Sequence, residues 1–157
     1  MSRRNETLNG LALIFLSVAP VFFVAFHFLP FERGDRYRGW RFWVEIAAIA
    51  KHPELIGIDS GKLVIALTAF LMIPLLLLAS PFLMPVYKSS KVFHGLALAL
   101  ALLSTAGFTG LALAHWDPHS RPGSGLACLM VAQVFNLIGL ALVKTWKPRK
   151  GEIPPPQ

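Results

Sequence analysis

Val92 to Ala114 reads VFHGLALALALLSTAGFTGLALA, twenty-three residues with no formal charge and no proline. At about 1.5 Å of rise per residue such a helix reaches roughly 35 Å, enough for a hydrocarbon layer of about 30 Å. A helix that stays apolar on every face for this long has no polar side to offer water. The stretch predicts a membrane-spanning helix, and the rest of the chain is read around it.

Three further apolar runs accompany it. Leu11 to Leu29 is the first, Lys62 to Tyr87 contains the second, and Leu126 to Val143 is the last. The expected fold is therefore all-α: one integral membrane bundle of four transmembrane helices, counting Val92 to Ala114 as the third. Hydrophobic residues make up 55% of the 157 residues and charged ones 15%, with a mean hydropathy of +0.58. That leaves little chain for a separate soluble domain. Pro20 and Pro74 fall inside two of the runs, where a missing backbone donor predicts bends. Pro81 and Pro85 predict an irregular end to the second run.

The connections carry the polar residues. Phe31 to Gly61 is the longest, and its FERGDRYRGWRFW segment mixes charges with large aromatics. Arg38 to Ala50 predicts a short helix in the membrane interface or capping the bundle, with Trp40, Phe42 and Trp43 as its interfacial anchors. Lys88 to Lys91 is a tight turn. Residues 115–125 form a polar turn, and Lys144 to Gln157 is a basic, then proline-rich tail.

The net charge of +7 sits mainly beside the apolar runs. It therefore points to membrane topology rather than to nucleic acid, which is not expected as a partner. Arg3, Arg4, Lys88, Lys91, Lys144, Lys147, Arg149 and Lys150 would lie on one side, against Arg121 in the short opposite loop. By the positive-inside rule this places both termini in the cytoplasm, in a bacterial-type inner membrane. Arg33, Arg36, Arg38, Arg41 and Lys51 in the long loop oppose that assignment.

Lipid tails are as apolar as leucine, so close backbone approach and interhelical hydrogen bonds assemble such bundles. The third run supplies Gly95, Ala99, Ser104, Ala106, Gly107, Gly110 and Ala114, expected in the bundle interior or against a partner. The fourth supplies Ala132, Gln133, Asn136 and Gly139 as a narrow strip facing another helix. Gln133 and Asn136 suit structural hydrogen bonds, or the lining of a ligand or quinone pocket. Cys128 is expected to pack, since a lone cysteine forms no internal disulfide.

Histidine provides the remaining chemistry. His27 and His115 fall at one depth and are candidates for axial ligation of a b-type haem. His115, Asp117 and His119 form an alternative metal set. His52 shares that side, whereas His94 lies at the opposite face without a second histidine. No acidic or basic residue lies deep in a run, which argues against an ion-coupled carrier. There is no HExxH, G-x-S-x-G, phosphate loop or Cys-x-x-Cys, so no catalytic activity is expected. The reading that remains is a non-catalytic structural or accessory subunit of a larger membrane complex, with lipids and other membrane subunits as partners. The alternatives are a haem- or quinone-binding electron-transfer subunit and a small transporter.

Overall fold

A computed structural model of the chain describes residues 3–31, 38–51, 60–114 and 123–145. It is all-helical. The order is α1 (Arg3–Phe28), α2 (Gly39–Lys51), α3 (Ser60–Ala79), α4 (Met84–Ser89), α5 (Lys91–Ala114) and α6 (Ser124–Leu142). Among the described residues three helical segments are long and apolar enough to cross a membrane: Arg4–Phe28, Lys91–Gly110 and Ser124–Leu142.

α1 runs unbroken through Pro20 and reaches two turns further toward the N-terminus than the apolar run itself. The second run divides into two helices. α3 passes through Pro74 and stops at Ala79, and a turn over residues 80–83 leads into α4. The physical cause is the proline pair. Pro81 has no N–H to continue the α3 ladder, whereas Pro85 lies in the first turn of α4, where no intrahelical donor is needed. The turn is closed by Ser80 N–H to Leu76 O and Leu83 N–H to Ala79 O, both 3.0 Å.

α1 and α6 form the most extensive helix pair, with α5 against α6 and α3. Two polar contacts fix the directions. The backbone N–H of Lys144 donates to Asn9 Oδ1 at 2.8 Å, so the start of α1 meets the end of α6. The His94 Nε2–H donates to Leu140 O at 2.7 Å, so the start of α5 meets the same end of α6. α1 and α5 are therefore antiparallel to α6, and Asn9 and Lys144 share one end of the bundle.

The core has two clusters. At the Asn9–Lys144 end, Ala12, Leu16, Ala97, Ala101 and Leu140 gather around Met84 and Tyr87 of α4. At the other end, Phe23, Phe26, Ile73, Leu77, Phe108 and Leu129 form an aromatic-rich cluster, joined by half-buried Phe42, Trp43 and Cys128.

Glycine is decisive where α1 gives way to the following chain. The carbonyls of Leu29, Pro30 and Phe31 accept the backbone N–H groups of Gly39, Gly125 and Gly123 at 3.1, 2.8 and 2.9 Å. Helix ends leave carbonyls without intrahelical partners, and within a membrane they have little water to turn to. Here the starts of α2 and α6 supply the donors. The approach is so close that a Cβ on Gly39 would overlap the Phe26 carbonyl oxygen, and one on Gly123 the Pro30 carbonyl oxygen. At Gly139 the obstacle is softer: a Cβ would meet the Leu16 side chain at 2.7 Å. Gly139→Ala is therefore expected to cost about 1–2 kcal/mol by overpacking, measured as a lower denaturation midpoint in detergent.

Candidate functional site

Three groups of residues qualify as candidate sites: a histidine–tryptophan latch, the open face of α5, and a polar cleft between α3, α5 and α6.

The latch is built on α1 and α2. Trp43 Nε1–H donates to His27 Nε2 at 2.9 Å, and the other ring nitrogen of His27 lies 2.8 Å from Phe23 O. An indole N–H only donates. His27 must therefore present a lone pair at Nε2 and carry its proton at Nδ1, which donates to the carbonyl. The two ring planes lie within 19° of each other, edge to edge across the Trp43–His27 hydrogen bond, with centroids 6.2 Å apart. Phe23, Phe26, Phe31, Phe42 and Phe108 close around them in edge-on and stacked contacts. The ring cluster holds α2 as a cap on the bundle, with Phe42 and Trp43 half-buried and Trp40 exposed.

An axial haem ligand needs a free imidazole lone pair. The Nε2 lone pair of His27 is taken by Trp43, so this geometry does not fit axial ligation through that nitrogen. His115, Asp117, His119 and His52 lie outside the described residues. Among the described residues no three His, Cys, Asp or Glu side chains gather as a metal site. Trp43→Phe keeps most of the ring packing and removes the donor, so a loss of about 1 kcal/mol is expected in denaturant unfolding.

The second candidate is the small-residue stripe of α5. The buried side of α5 is Ala97, Ala101 and Phe108, with Ser104 half-buried beside them. Gly95, Ala99, Ala106, Gly107 and Gly110 are exposed, and a Cβ on any of these glycines would meet nothing within 4 Å. Among the described residues the stripe is not a packing seam. The side chain of Ala114 is outside the described set. By contrast, Ala132, Gln133, Asn136 and Gly139 of α6 are all buried.

The third candidate is a cleft lined by Ile73, Leu76, Leu77, Ala101, Ser104, Thr105, Gln133 and Asn136. Gln133 and Asn136 are 4% and 2% exposed. Gln133 also lines a neighbouring cleft with Thr105, Phe108 and Met130. Among the described residues no charged side chain is buried; the buried polar ones are Asn9, Ser80, Gln133 and Asn136.

Sequence reasoning missed the three glycines at the end of α1, Asn9 as the partner of the α6 terminus, and the pairing of His27 with Trp43. Gly39 and the Gly123-x-Gly125 spacing were visible signals at helix starts, but their acceptors lie far away in the chain. No protein family, curated protein or solved structure matches the chain. The class that fold and composition define is a helical protein with, among the described residues, three helices able to cross a membrane.

Proposed function

We propose that the protein is a non-catalytic accessory subunit of a larger membrane assembly, spanning the membrane four times. α3 serves as the fourth crossing: its twenty residues reach about 30 Å. The up-and-down order brings Asn9 and Lys144 to one end, together with Arg4, Lys88 and Lys91. Basic residues at that end favour a cytoplasmic location for it, in a bacterial-type inner membrane.

The observation that carries the reading is the unequal use of small residues. Where helices of this chain meet closely, a glycine is filled by its neighbour, as Leu16 fills Gly139. α5 places five small residues along a face that is open among the described residues. Lipid gains nothing from such a stripe, since longer apolar side chains serve equally well there. A transmembrane helix of another subunit gains close backbone contact. Leu102, exposed, borders the stripe, and Leu103, also exposed, stands on it between Ala99 and Gly107, a side chain that a neighbouring helix would pack around.

Purification from native membranes in a mild detergent tests the reading. A defined set of membrane subunits is expected to accompany the chain, with cysteine crosslinks forming from Gly107→Cys to one of them. A chain that purifies alone, and crosslinks only to lipid or to nothing, overturns it. A Soret band in the purified protein would replace it with the electron-transfer alternative.

A further inference from the structure

Gln133 is the tenth of the nineteen residues of α6, so it lies about 14 Å from either end, mid-way along a helix long and apolar enough to cross a membrane. Neither Nε2 nor Oε1 of its amide has a hydrogen-bond partner among the described residues, and Asn136 Oδ1 has none either. Both side chains are more than nine-tenths buried. Leaving such groups dry costs several kcal/mol each, and hydrocarbon supplies no partner.

The cleft has a definite hydrogen-bonding inventory. The Thr105 hydroxyl donates to Ala101 O at 2.7 Å, so toward the cleft its oxygen can only accept. The unsatisfied acceptors are Gln133 Oε1 and Asn136 Oδ1 and the unsatisfied donor is the Gln133 NH2 group; Thr105 Oγ1 can also accept, and Ser104 and the Asn136 NH2 belong to the same lining. Exchanging O and N in the Gln133 amide leaves this count unchanged. An occupant must both accept a proton from Gln133 and donate one to an amide oxygen. A hydroxyl oxygen does both, whereas a carbonyl only accepts. The absence of a buried charge among the described residues favours a neutral group over an ion. The cavity is about 10 Å³, the scale of one water-sized atom and far below the ~300 Å³ of an ordinary ligand pocket.

We propose that the cleft between α3, α5 and α6 is a binding site for one neutral hydroxyl oxygen, from water or a membrane-dissolved alcohol, bridging Gln133 and Asn136. The site does not depend on the accessory-subunit reading. It gives a mid-helix polar pair a partner that no neighbouring side chain supplies among the described residues.

The sequence contains two glutamines, Gln133 and Gln157, which makes the test direct. The full chain, labelled with 15N in its glutamine side chains, is placed in phosphatidylcholine vesicles and studied by water-edited solid-state NMR. Gln157→Ala leaves Gln133 as the one glutamine and so identifies its signal. Magnetisation is expected to pass from water to the Gln133 amide, and to be lost in Asn136→Leu. If water gives no transfer but added dodecanol shifts the Gln133 signal, the hydroxyl comes from an alcohol and the proposal stands. A Gln133 amide that responds to neither water nor dodecanol overturns it, as does one that responds only to an acceptor-only quinone. Once the Gln133 signal is assigned, the chain with Gln133 and Asn136 intact decides between these outcomes, so the folding of Asn136→Leu is not required.

Discussion

Gly39→Ala, the addition of a single methyl group, is expected to destabilise the protein by about 3 kcal/mol, with Gly123→Ala close behind. The new Cβ at Gly39 would overlap the Phe26 carbonyl oxygen and lie 2.6 Å from the Phe26 ring. The ring cannot swing away, because Phe26 is 0% exposed and packed into the aromatic cluster. The carbonyl cannot move without disturbing the last turn of α1. Any shift of α2 also stretches the Gly39 N–H bond to Leu29 O. At Gly123 the obstacles are the backbones of Pro30 and Phe31, which are no more yielding. For a chain of this size the loss corresponds to roughly 10 °C in thermal midpoint. Gly107→Ala is the control: nothing lies within 4 Å of its Cβ position, so the isolated chain should be unaffected or gain up to about 1 kcal/mol of helix propensity. Thermal unfolding of the three variants in one detergent measures the contrast. Equal midpoints would mean that α1 is not clasped as described.

The second large effect concerns association rather than folding. Gly107→Leu and Gly110→Leu each add a bulky side chain to the open face of α5, where no described residue lies within 4 Å of the Cβ position. Both variants should fold and purify normally. Both should lose partner subunits, with binding weakened at least about tenfold, or ~1.4 kcal/mol, because a neighbouring helix could no longer approach closely. The readout is the ratio of partner to bait after purification from native membranes. Unchanged recovery of partners would show that they bind elsewhere on the bundle. The clasp and stripe predictions are separable: the first set changes unfolding in isolation, the second changes only company.

The helices themselves were legible in the residues. The run at Val92 to Ala114 becomes α5 within one residue at its start, and the helix expected over Arg38 to Ala50 becomes Gly39–Lys51. The division of the second run after Ala79 follows from Pro81 and Pro85, local rules that need no knowledge of neighbours. The candidate sites were less legible. Gln133 and Asn136 stand out as polar residues in an apolar helix, but their unsatisfied atoms and shared cleft appear only when α3 and α5 are placed beside α6. His27 looked available to a metal because its partner Trp43 is sixteen residues away on another helix.

What the chain by itself determined is where it is helical and that apolar helices in it suit a membrane, of which three are long and apolar enough to cross one among the described residues. Both depend on the residues of each segment: an apolar run in lipid must satisfy its backbone internally, and a helix is how it does so. What only the tertiary structure decided is which side of each helix is covered. Leucine is equally at home against lipid and against another helix, so composition does not distinguish the two faces of α5. The covered side is chosen by contacts between distant positions: Gly139 receiving Leu16, Gly39 seated on Phe26, and His94 reaching Leu140. On α5 the His94 contact with α6 accompanies Ala97, Ala101 and Phe108 facing inward and Gly95, Gly107 and Gly110 facing outward.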